Sequence, residues 1–291
     1  MGMWRQSRFG SAASGTTVSV EYEVTSFTPR MNENLFNASG ARGTRGKQSE
    51  RVVQGTRAPG FDVTLQPNSV ELDTILPWIF GGSESADSFP LAETLPTFSW
   101  IVDMGGTARW YWETCTVNKA VFSATQGGPL ELQLSVEALT HSTDSTAFGA
   151  STVSVVPPYM FYESSSALVV NSQTLGHYSC KLTVDNALDT GKHLNSQTRH
   201  STPTRDRMVT WEFEGPYSTI SALFGLAATG VPVTATFTKS GRSVAFSSLK
   251  VCFPREFPQV QPPEEYHLSI VGEAHRSGTT QELTTTNDST A

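Results

Sequence analysis

The sequence predicts a mainly β protein made of two tandem β-sandwich units, each with one short flanking helix and one long loop. Three observations predict this fold class. Apolar and polar residues alternate in many short runs that are rich in Thr, Ser, Val and Phe. Residues 60–138 and 208–274 run through the same order of predicted elements, with their apolar positions in phase. Each of these segments also contains one stretch of helical periodicity at the same place.

The clearest repeated elements are a strand and the helix that follows it, both displaced by 148 residues. Residues 61–66 alternate apolar and polar side chains, as do residues 209–214, and a proline follows each run. The next stretch has one apolar helical face, whose four positions are Leu72, Ile75, Leu76 and Ile79 in the first copy and Ile220, Leu223, Phe224 and Ala227 in the second. Each helix is predicted to end at a glycine, Gly82 or Gly230.

The second part of each segment is predicted to be a hairpin followed by a closing strand. Residues 98–102 and 233–237 are strand-like, and each run leads to glycines that suit a tight turn. The closing strands are 130–138 and 266–274, each with one apolar and one mostly polar face. The first segment carries extra residues, roughly 83–95, that the second segment lacks.

A strand-like run followed by a long polar stretch occurs in both halves. The predicted strands are 19–25 and 179–185, and the predicted loops are 28–58 and 186–207. A loop of this length in a compact domain is functional or disordered, and its presence at the same place in both halves favours function. The basic residues of these loops are Arg30, Arg42, Arg45, Lys47, Arg51 and Arg57 in the first, and Lys192, Arg199, Arg205 and Arg207 in the second.

The chain is predicted to divide into four segments. The first unit covers 1–142, a linker covers 143–158, and the second unit covers 159–278. Residues 279–291 are mostly Thr, Ser and other small polar residues, which predicts a flexible C-terminal tail. With 291 residues the chain is long enough for each unit to have its own core.

The distribution of charge favours contact with other protein copies over nucleic-acid binding. The formal net charge is −7, but the first long loop carries +4 and the second, with Asp185 at its edge, carries +1, which leaves −12 for the remainder. Basic loops on an acidic body could bind nucleic acid or the acidic surface of a neighbouring copy. We favour the protein surface, because the chain as a whole would repel nucleic acid.

No catalytic, cofactor-binding or metal-binding constellation is apparent, so the sequence does not indicate an enzyme. The glycine-rich stretch 40–46 lacks the Lys-Ser/Thr ending and the strand–helix context of a phosphate-binding loop. His193 and His200 lack a metal-ligand spacing. No stretch has the length of apolar residues that spans a membrane. The isolated cysteines are expected to be core residues in a reducing compartment; they are Cys115, Cys180 and Cys252.

The aromatic run 110–112 leaves two interpretations open. In a strand, Trp110 and Trp112 would share one face, which could form the carbohydrate platform of a lectin-like or adhesin-like binding module. Packing in the core or at a subunit interface is the more common role of such residues.

The order of strand, long loop, strand, short helix, hairpin and closing strand resembles that of the tail tube proteins of long-tailed bacteriophages. The most telling segments are 182–188, 209–216, and 253–255 followed by 266–274. The resemblance implies two tandem tail-tube-like units, whose strands join those of neighbours around a lumen. The rings would stack into the tube through which DNA is ejected. Single-copy members form rings of six subunits, so a duplicated chain implies a trimeric, pseudo-hexameric ring.

The resemblance also implies roles for individual residues and partners. The basic residues of the two long loops would contact the adjacent ring. The polar face of the closing strands would line the lumen; its residues are Glu131, Gln133, Ser135, Glu137, Ser269 and Glu273. The partners would be further copies of the chain, other phage tail proteins, and DNA that passes without specific binding, with no membrane involved. The protein would be located in the virion tail after assembly in the host cytoplasm. A head–tail joining or decoration protein of the virion is an alternative, beside the lectin-like module.

Overall fold

The computed structural model describes residues 2–5, 20–37, 52–102, 109–144, 156–159, 167–191, 201–216, 230–254 and 267–290. Within these residues the fold is mainly β, with one helix and a large antiparallel sheet that is not closed into a barrel. The architecture is consistent with a β-sandwich, which confirms the predicted fold class.

Seventeen strands and one helix make up the described part of the chain. The first half contains β1 (Gly2–Arg5), β2 (Val20–Glu21), β3 (Val24–Asn37), β4 (Val52–Leu65), α1 (Ser69–Phe80), β5 (Ser88–Pro90), β6 (Phe98–Val102), β7 (Arg109–Thr125), β8 (Glu131–Glu137) and β9 (Thr140–Asp144). The second half contains β10 (Ala167–Val170), β11 (Gln173–Thr174), β12 (Ser179–Asp185), β13 (Met208–Pro216), β14 (Val231–Lys239), β15 (Arg242–Cys252), β16 (His267–Ala274) and β17 (Thr284–Asp288).

The two halves connect their strands in the same order. Among the described residues, the antiparallel pairs of the first half are β1–β2, β1–β6, β3–β4, β4–β8, β6–β7, β7–β8 and β7–β9. Those of the second half are β10–β11, β10–β14, β12–β13, β13–β16, β14–β15, β15–β16 and β15–β17. Each pair of the first list has its counterpart at the same place in the second. The two strand orders correspond, whereas the duplication of one unit stays a prediction.

The register of one counterpart pair differs between the halves by two residues. Phe61 lies opposite Val136. In the second half, Val209 is the sequence counterpart of Phe61, and Gly272 is that of Val136. Val209 nevertheless lies opposite Ala274, two residues beyond Gly272. Because side chains alternate with a period of two, a shift of two residues leaves every side chain on its original face.

Two further ladders join the halves and make the core continuous. β7 pairs with β12 over residues 119–125 and 179–185, and β5 pairs with β17. The buried apolar side chains of both halves form one cluster, which extends from Tyr22 to Leu283. The expectation of a separate core for each unit is therefore wrong, because the sheet passes from one half into the other. The unit boundaries at 142, 158 and 278 stay predictions.

α1 begins at an asparagine cap and ends at a glycine. Asn68 Oδ1 accepts hydrogen bonds from the backbone N–H groups of Val70 and Glu71, each 3.0 Å long. The Glu71 carboxylate accepts one in return from the N–H of Asn68, which completes a capping box. The helix ends where Gly81 adopts a φ of 84°, one residue before the predicted Gly82. The four predicted apolar positions are all buried, so the first predicted helix is confirmed.

The stretch predicted as a long loop over 28–58 is largely a β-hairpin. β3 and β4 are 14 residues long each, and they pair from Val24–Leu65 out to Asn37–Val52. The loop prediction is wrong for 28–37 and 52–58, because a ribbon that is exposed on both faces lacks the apolar alternation that identifies a half-buried strand. Residues 38–51 lie outside the described residues. The predicted strand over 19–25 divides into β2 and the start of β3.

The C-terminal segment 279–291, predicted to be flexible, contains the paired strand β17. Thr285 and Asn287 are buried in this strand. The Asn287 amide donates to the Ser69 carbonyl at 2.7 Å and accepts from the Tyr159 hydroxyl at 3.1 Å. The prediction is wrong because the segment is ordered by partners from both halves, and its Thr-rich composition cannot reveal those partners.

The second half begins with the paired strands β10 and β11, joined by a turn at Asn171 and Ser172. Two other predicted elements have different outcomes. The turn of the later hairpin is confirmed at Ser240 and Gly241, which both have positive φ. The predicted second helix, with its apolar positions from Ile220 to Ala227, lies outside the described residues.

Candidate functional surface

Seven neighbouring strands share one continuous polar face. Directly paired residues lie on the same side of a sheet. The ladders of β3, β4, β8, β7, β12, β13 and β16 therefore align Ser26, Thr64, Gln133, Val121, Thr183, Thr210 and Glu273 in one row. The opposite side is apolar and buried, with Val63, Leu134 and Leu182 at 2–3% exposure. We call the first side the polar face; residues from both halves form it.

All six residues predicted to line a lumen lie on the polar face. Glu131, Gln133, Ser135 and Glu137 alternate along β8 with buried leucine and valine residues. Ser269 and Glu273 are exposed on β16, with the exposed Val271 between them. The structure thus brings the two closing strands onto one surface, whereas their role as a lumen stays a prediction.

Arg30 is held by a cluster on this face. Its Nη1 lies 3.0 Å from Glu137 Oε1, and its Nη2 donates to Ser135 Oγ at 3.0 Å and to the Val136 carbonyl at 3.2 Å. Its Nε forms an ion pair with Asp62 at 3.1 Å. Glu137 is nearly buried, at 8% side-chain exposure. Arg30, predicted to be a stacking cation of the loop, therefore holds the hairpin base against β8.

The polar face is acidic, and its cations lie beside carboxylates. Lys181 Nζ lies 2.9 Å from Glu212 Oε2, and Lys119 lies opposite Asp185 in the β7–β12 ladder. Seven described carboxylates share the face with three cations: Asp62, Glu131, Glu137, Asp185, Glu212, Glu214 and Glu273 against Arg30, Lys119 and Lys181. A polyanion would therefore be repelled by this surface.

Sequence reasoning missed part of this face. It did not assign Asp62, Lys119, Lys181, Asp185, Glu212 or Glu214 to it. The alternation in 61–66, 179–185 and 209–214 was a signal that could have found all of them except Lys119. The sequence could not show that these strands share a face with β8 and β16, because that depends on pairings between residues far apart in the chain.

The outer part of the β3–β4 hairpin exposes apolar side chains. Leu35, Phe36 and Val53 are 66%, 62% and 59% exposed. In the same hairpin, Arg57 Nε lies 3.1 Å from Glu33 Oε1. An exposed two-stranded ribbon is marginally stable by itself, so these side chains need a partner surface. We call residues 34–37 and 52–56 the hairpin arm.

The two described arginines of the second predicted loop are engaged within the chain. Arg205 Nη2 lies 2.8 Å from Asp189 Oδ2, and this hydrogen bond lowers the pKa of the Asp189 carboxyl below its usual value. Arg207 donates to the Ala92 carbonyl at 2.9 Å and lies 3.4 Å from Glu282. Its side chain is only 13% exposed. Arg207 therefore lies in the body of the protein and not on a free loop.

The remaining predicted stacking cations lie outside the described residues. They are Arg42, Arg45, Lys47, Arg51, Lys192 and Arg199. His193 and His200 lie outside them as well. The stacking role of the six cations stays a prediction.

The aromatic run belongs to the packed interior. Trp112 is 0% exposed, Tyr111 is 7% exposed, and the half-buried Trp110 packs against the core. The His141 ring lies edge-on to Trp112 at 4.8 Å, and burial lowers the pKa of His141. A carbohydrate platform made of Trp110 and Trp112 is therefore wrong, because Trp112 has no exposed surface for a sugar.

The three cysteines are free thiols, with no disulfide between them. Cys115 and Cys180 are buried and unpaired, and Cys252 is half-buried and unpaired. Burial raises the pKa of Cys180 to about 12, so this thiol stays protonated. The described residues contain no cluster of His, Cys, Asp and Glu that could hold a metal ion. No helix among them is long and apolar enough to cross a membrane.

Comparisons with known proteins give one match. A family model described as phage tail tube protein matches residues 2–286, nearly the whole chain. No curated protein matches the chain.

Proposed function

Because the chain belongs to the phage tail tube protein family and is thereby a structural tail protein, we propose that it polymerises into rings that stack into the tube through which DNA is ejected. The observation that carries this proposal is the β7–β12 ladder, by which one half of the chain already extends its sheet into the other. Three chains of two tail-tube-like units would close a pseudo-hexameric ring. Other tail proteins would contact its ends, in the virion tail, after assembly in the host cytoplasm.

The strand edges supply the argument for a ring. β12 pairs with β13 on one side and with β7 on the other. Its counterpart β3 pairs with β4 and, among the described residues, with no other strand. Native proteins cover or pair long strand edges, since an open edge is a template for another chain. The edge of β3 is therefore suited to join a second copy as β12 joins β7, and such a head-to-tail contact can close into a ring.

The polar face would line the lumen of this ring. It lies on the side of the sheet opposite the core, and it carries more carboxylates than cations. DNA phosphates would be repelled by this lining instead of being captured, so DNA could slide without specific binding.

The hairpin arm would contact the adjacent ring. Its exposed apolar residues give it a surface to bury. The basic residues of 38–51 would meet the acidic body of the next ring, and this part of the stacking would weaken as salt is added.

The stacking proposal predicts that Phe36→Asp with Val53→Asp stops tubes and spares rings. Both side chains are about 60% exposed, so the fold should persist, while two buried carboxylates would oppose ring stacking. Negative-stain microscopy of the concentrated protein measures the outcome. The wild-type chain should form tubes, and the double variant should form single rings.

Val70→Asp is the matched control, because Val70 is exposed at the first turn of α1 and away from the hairpin. It should form normal tubes. Normal tubes from the double variant would show that the hairpin makes no stacking contact. A wild-type chain that forms neither rings nor tubes would contradict the proposed function itself.

A further inference from the structure

The contact between the two halves within the chain includes a long ladder, a short ladder and a buried asparagine, beside the shared apolar core. The first is the β7–β12 ladder. The second is the pairing of β5 with β17, in which Phe89 is fully buried; we call these two strands the clasp. The third is the side chain of Asn186 in the second half. Its Nδ2 donates to the carbonyls of Ile79 and Val117 in the first half, at 3.1 Å each.

At this contact, residues of both halves line a polar pocket. Its lining includes Asn186, Thr204 and Arg207 from the second half, and Ala92 and Glu93 from the first. Arg207 donates to the Ala92 carbonyl at 2.9 Å, and Thr204 Oγ1 donates to the Glu93 carbonyl at 3.1 Å. At this pocket the two halves are therefore joined by hydrogen bonds, beside the apolar core that they share.

The first half has a cleft at the counterpart position. Its lining residues are Met31, Glu33, Arg57, Ala58, Pro59, Leu139, Thr140 and His141, around a volume of about 110 Å³. Arg57, Ala58 and Pro59 precede Arg205, Asp206 and Arg207 of the polar pocket by the repeat offset of 148 residues. Met31 lies opposite Pro59 in the β3–β4 ladder. In the second half, extending the β12–β13 register by one pair places Asn186 opposite Arg207. Asn186 therefore corresponds to Met31.

The cleft differs from the pocket in its chemistry. Met31 stands where the pocket has Asn186, and Pro59 stands where it has Arg207. These exchanges replace two side chains that carry hydrogen-bond donors and leave Met31 as apolar surface, 53% exposed, beside the polar lining residues Glu33, Arg57, Thr140 and His141.

The cleft also has no counterpart of the clasp. Among the described residues β9, the counterpart of β17, pairs with β7 alone. In the described part of the second half no strand takes the place of β5, because β14 begins at Val231, directly after Gly230, whereas residues 83–97 separate Gly82 from β6.

We infer that this cleft receives the second half of another copy of the chain, so that a ring has two kinds of contact. At this position the contact within a chain is hydrogen-bonded and clasped, while the contact between chains has an exposed methionine in place of the asparagine and is unclasped. The inference rests on the proposed function and names the surface by which rings close. A contact of the second kind suits assembly from separate chains, because exposed apolar surface can be buried without first aligning a set of hydrogen bonds.

The test is the substitution Met31→Asp, with Met31→Leu and Val70→Asp as controls. Met31 is half exposed, so an aspartate is tolerated in the single chain, whereas in the closed contact it would be a buried charge without a partner. Mass photometry should show wild-type particles of about three times the 31.5 kDa chain. The aspartate variant should need at least tenfold more protein to form them, with an unchanged circular dichroism spectrum. Both controls should assemble as the wild type does.

The possible outcomes are distinguishable. Rings of Met31→Asp at the wild-type concentration would overturn the assignment of the cleft and leave the proposed function standing. A wild type without rings or tubes would overturn both. Loss of rings in Val70→Asp as well would mean that any added surface carboxylate blocks assembly, which also overturns the assignment.

Discussion

The contacts of Arg30 show how a single residue connects a projecting hairpin to the sheet beneath it. Its three guanidinium nitrogens reach two strands other than its own, and Glu137 supplies the most buried of its partners. A half-buried ion pair with several hydrogen bonds costs more to break than an exposed pair, because the remaining charge loses its partner where water cannot fully replace it. The base of the hairpin is therefore fixed, although its outer part is exposed.

We expect Glu137→Ala to lower the free energy of unfolding by about 1–3 kcal/mol, because Arg30 would be left half-buried without its main partner. Glu131→Ala is the matched control on the same strand and face, and its effect should stay within about 0.5 kcal/mol. Urea unfolding measures both. Equal effects of the two substitutions would show that the Arg30 cluster contributes no stability.

At the scale of elements, the structure separates what local sequence pattern can reveal from what it cannot. α1 and the strand over 61–65 were predictable, because their apolar residues repeat with the period of the element. The hairpin of β3 and β4 was not, since its outer residues face solvent on both sides and carry no such period. β17 was missed for a different reason: its Thr-rich sequence becomes a buried strand only because β5 and β15 lie beside it.

The clasp predicts a large effect of Asn287→Ala. The Asn287 side chain is fully buried and bonds to Ser69, Asp73 and Tyr159, so its loss leaves buried polar groups without partners. We expect a loss of about 1–3 kcal/mol and faster hydrogen exchange in β17. Thr286→Ala, an exposed residue of the same strand, should change neither quantity. Unchanged exchange in Asn287→Ala would show that β17 is held by its backbone pairing alone.

At the scale of the whole molecule, the order of the repeated elements could be read from the sequence, but their junction could not. The pairing of β7 with β12 joins residues about 60 positions apart, and neither strand carries a local signal of the other. The polar face also depends on this junction. Its single residues were predictable from alternation, but its extent across seven strands was not. The continuous core follows from the junction as well.

The continuous core predicts that the two halves unfold together. Leu134→Ala removes a buried side chain of the first half and Ile270→Ala one of the second, each at a cost of about 2–5 kcal/mol. If the β7–β12 ladder and the shared core couple the halves, each substitution should destabilise peptides of both halves equally. Hydrogen exchange in urea, followed by mass spectrometry on the dilute single chain, measures the two halves separately. A substitution that destabilises only its own half would show that each half is an independent folding unit, in spite of the sheet that joins them.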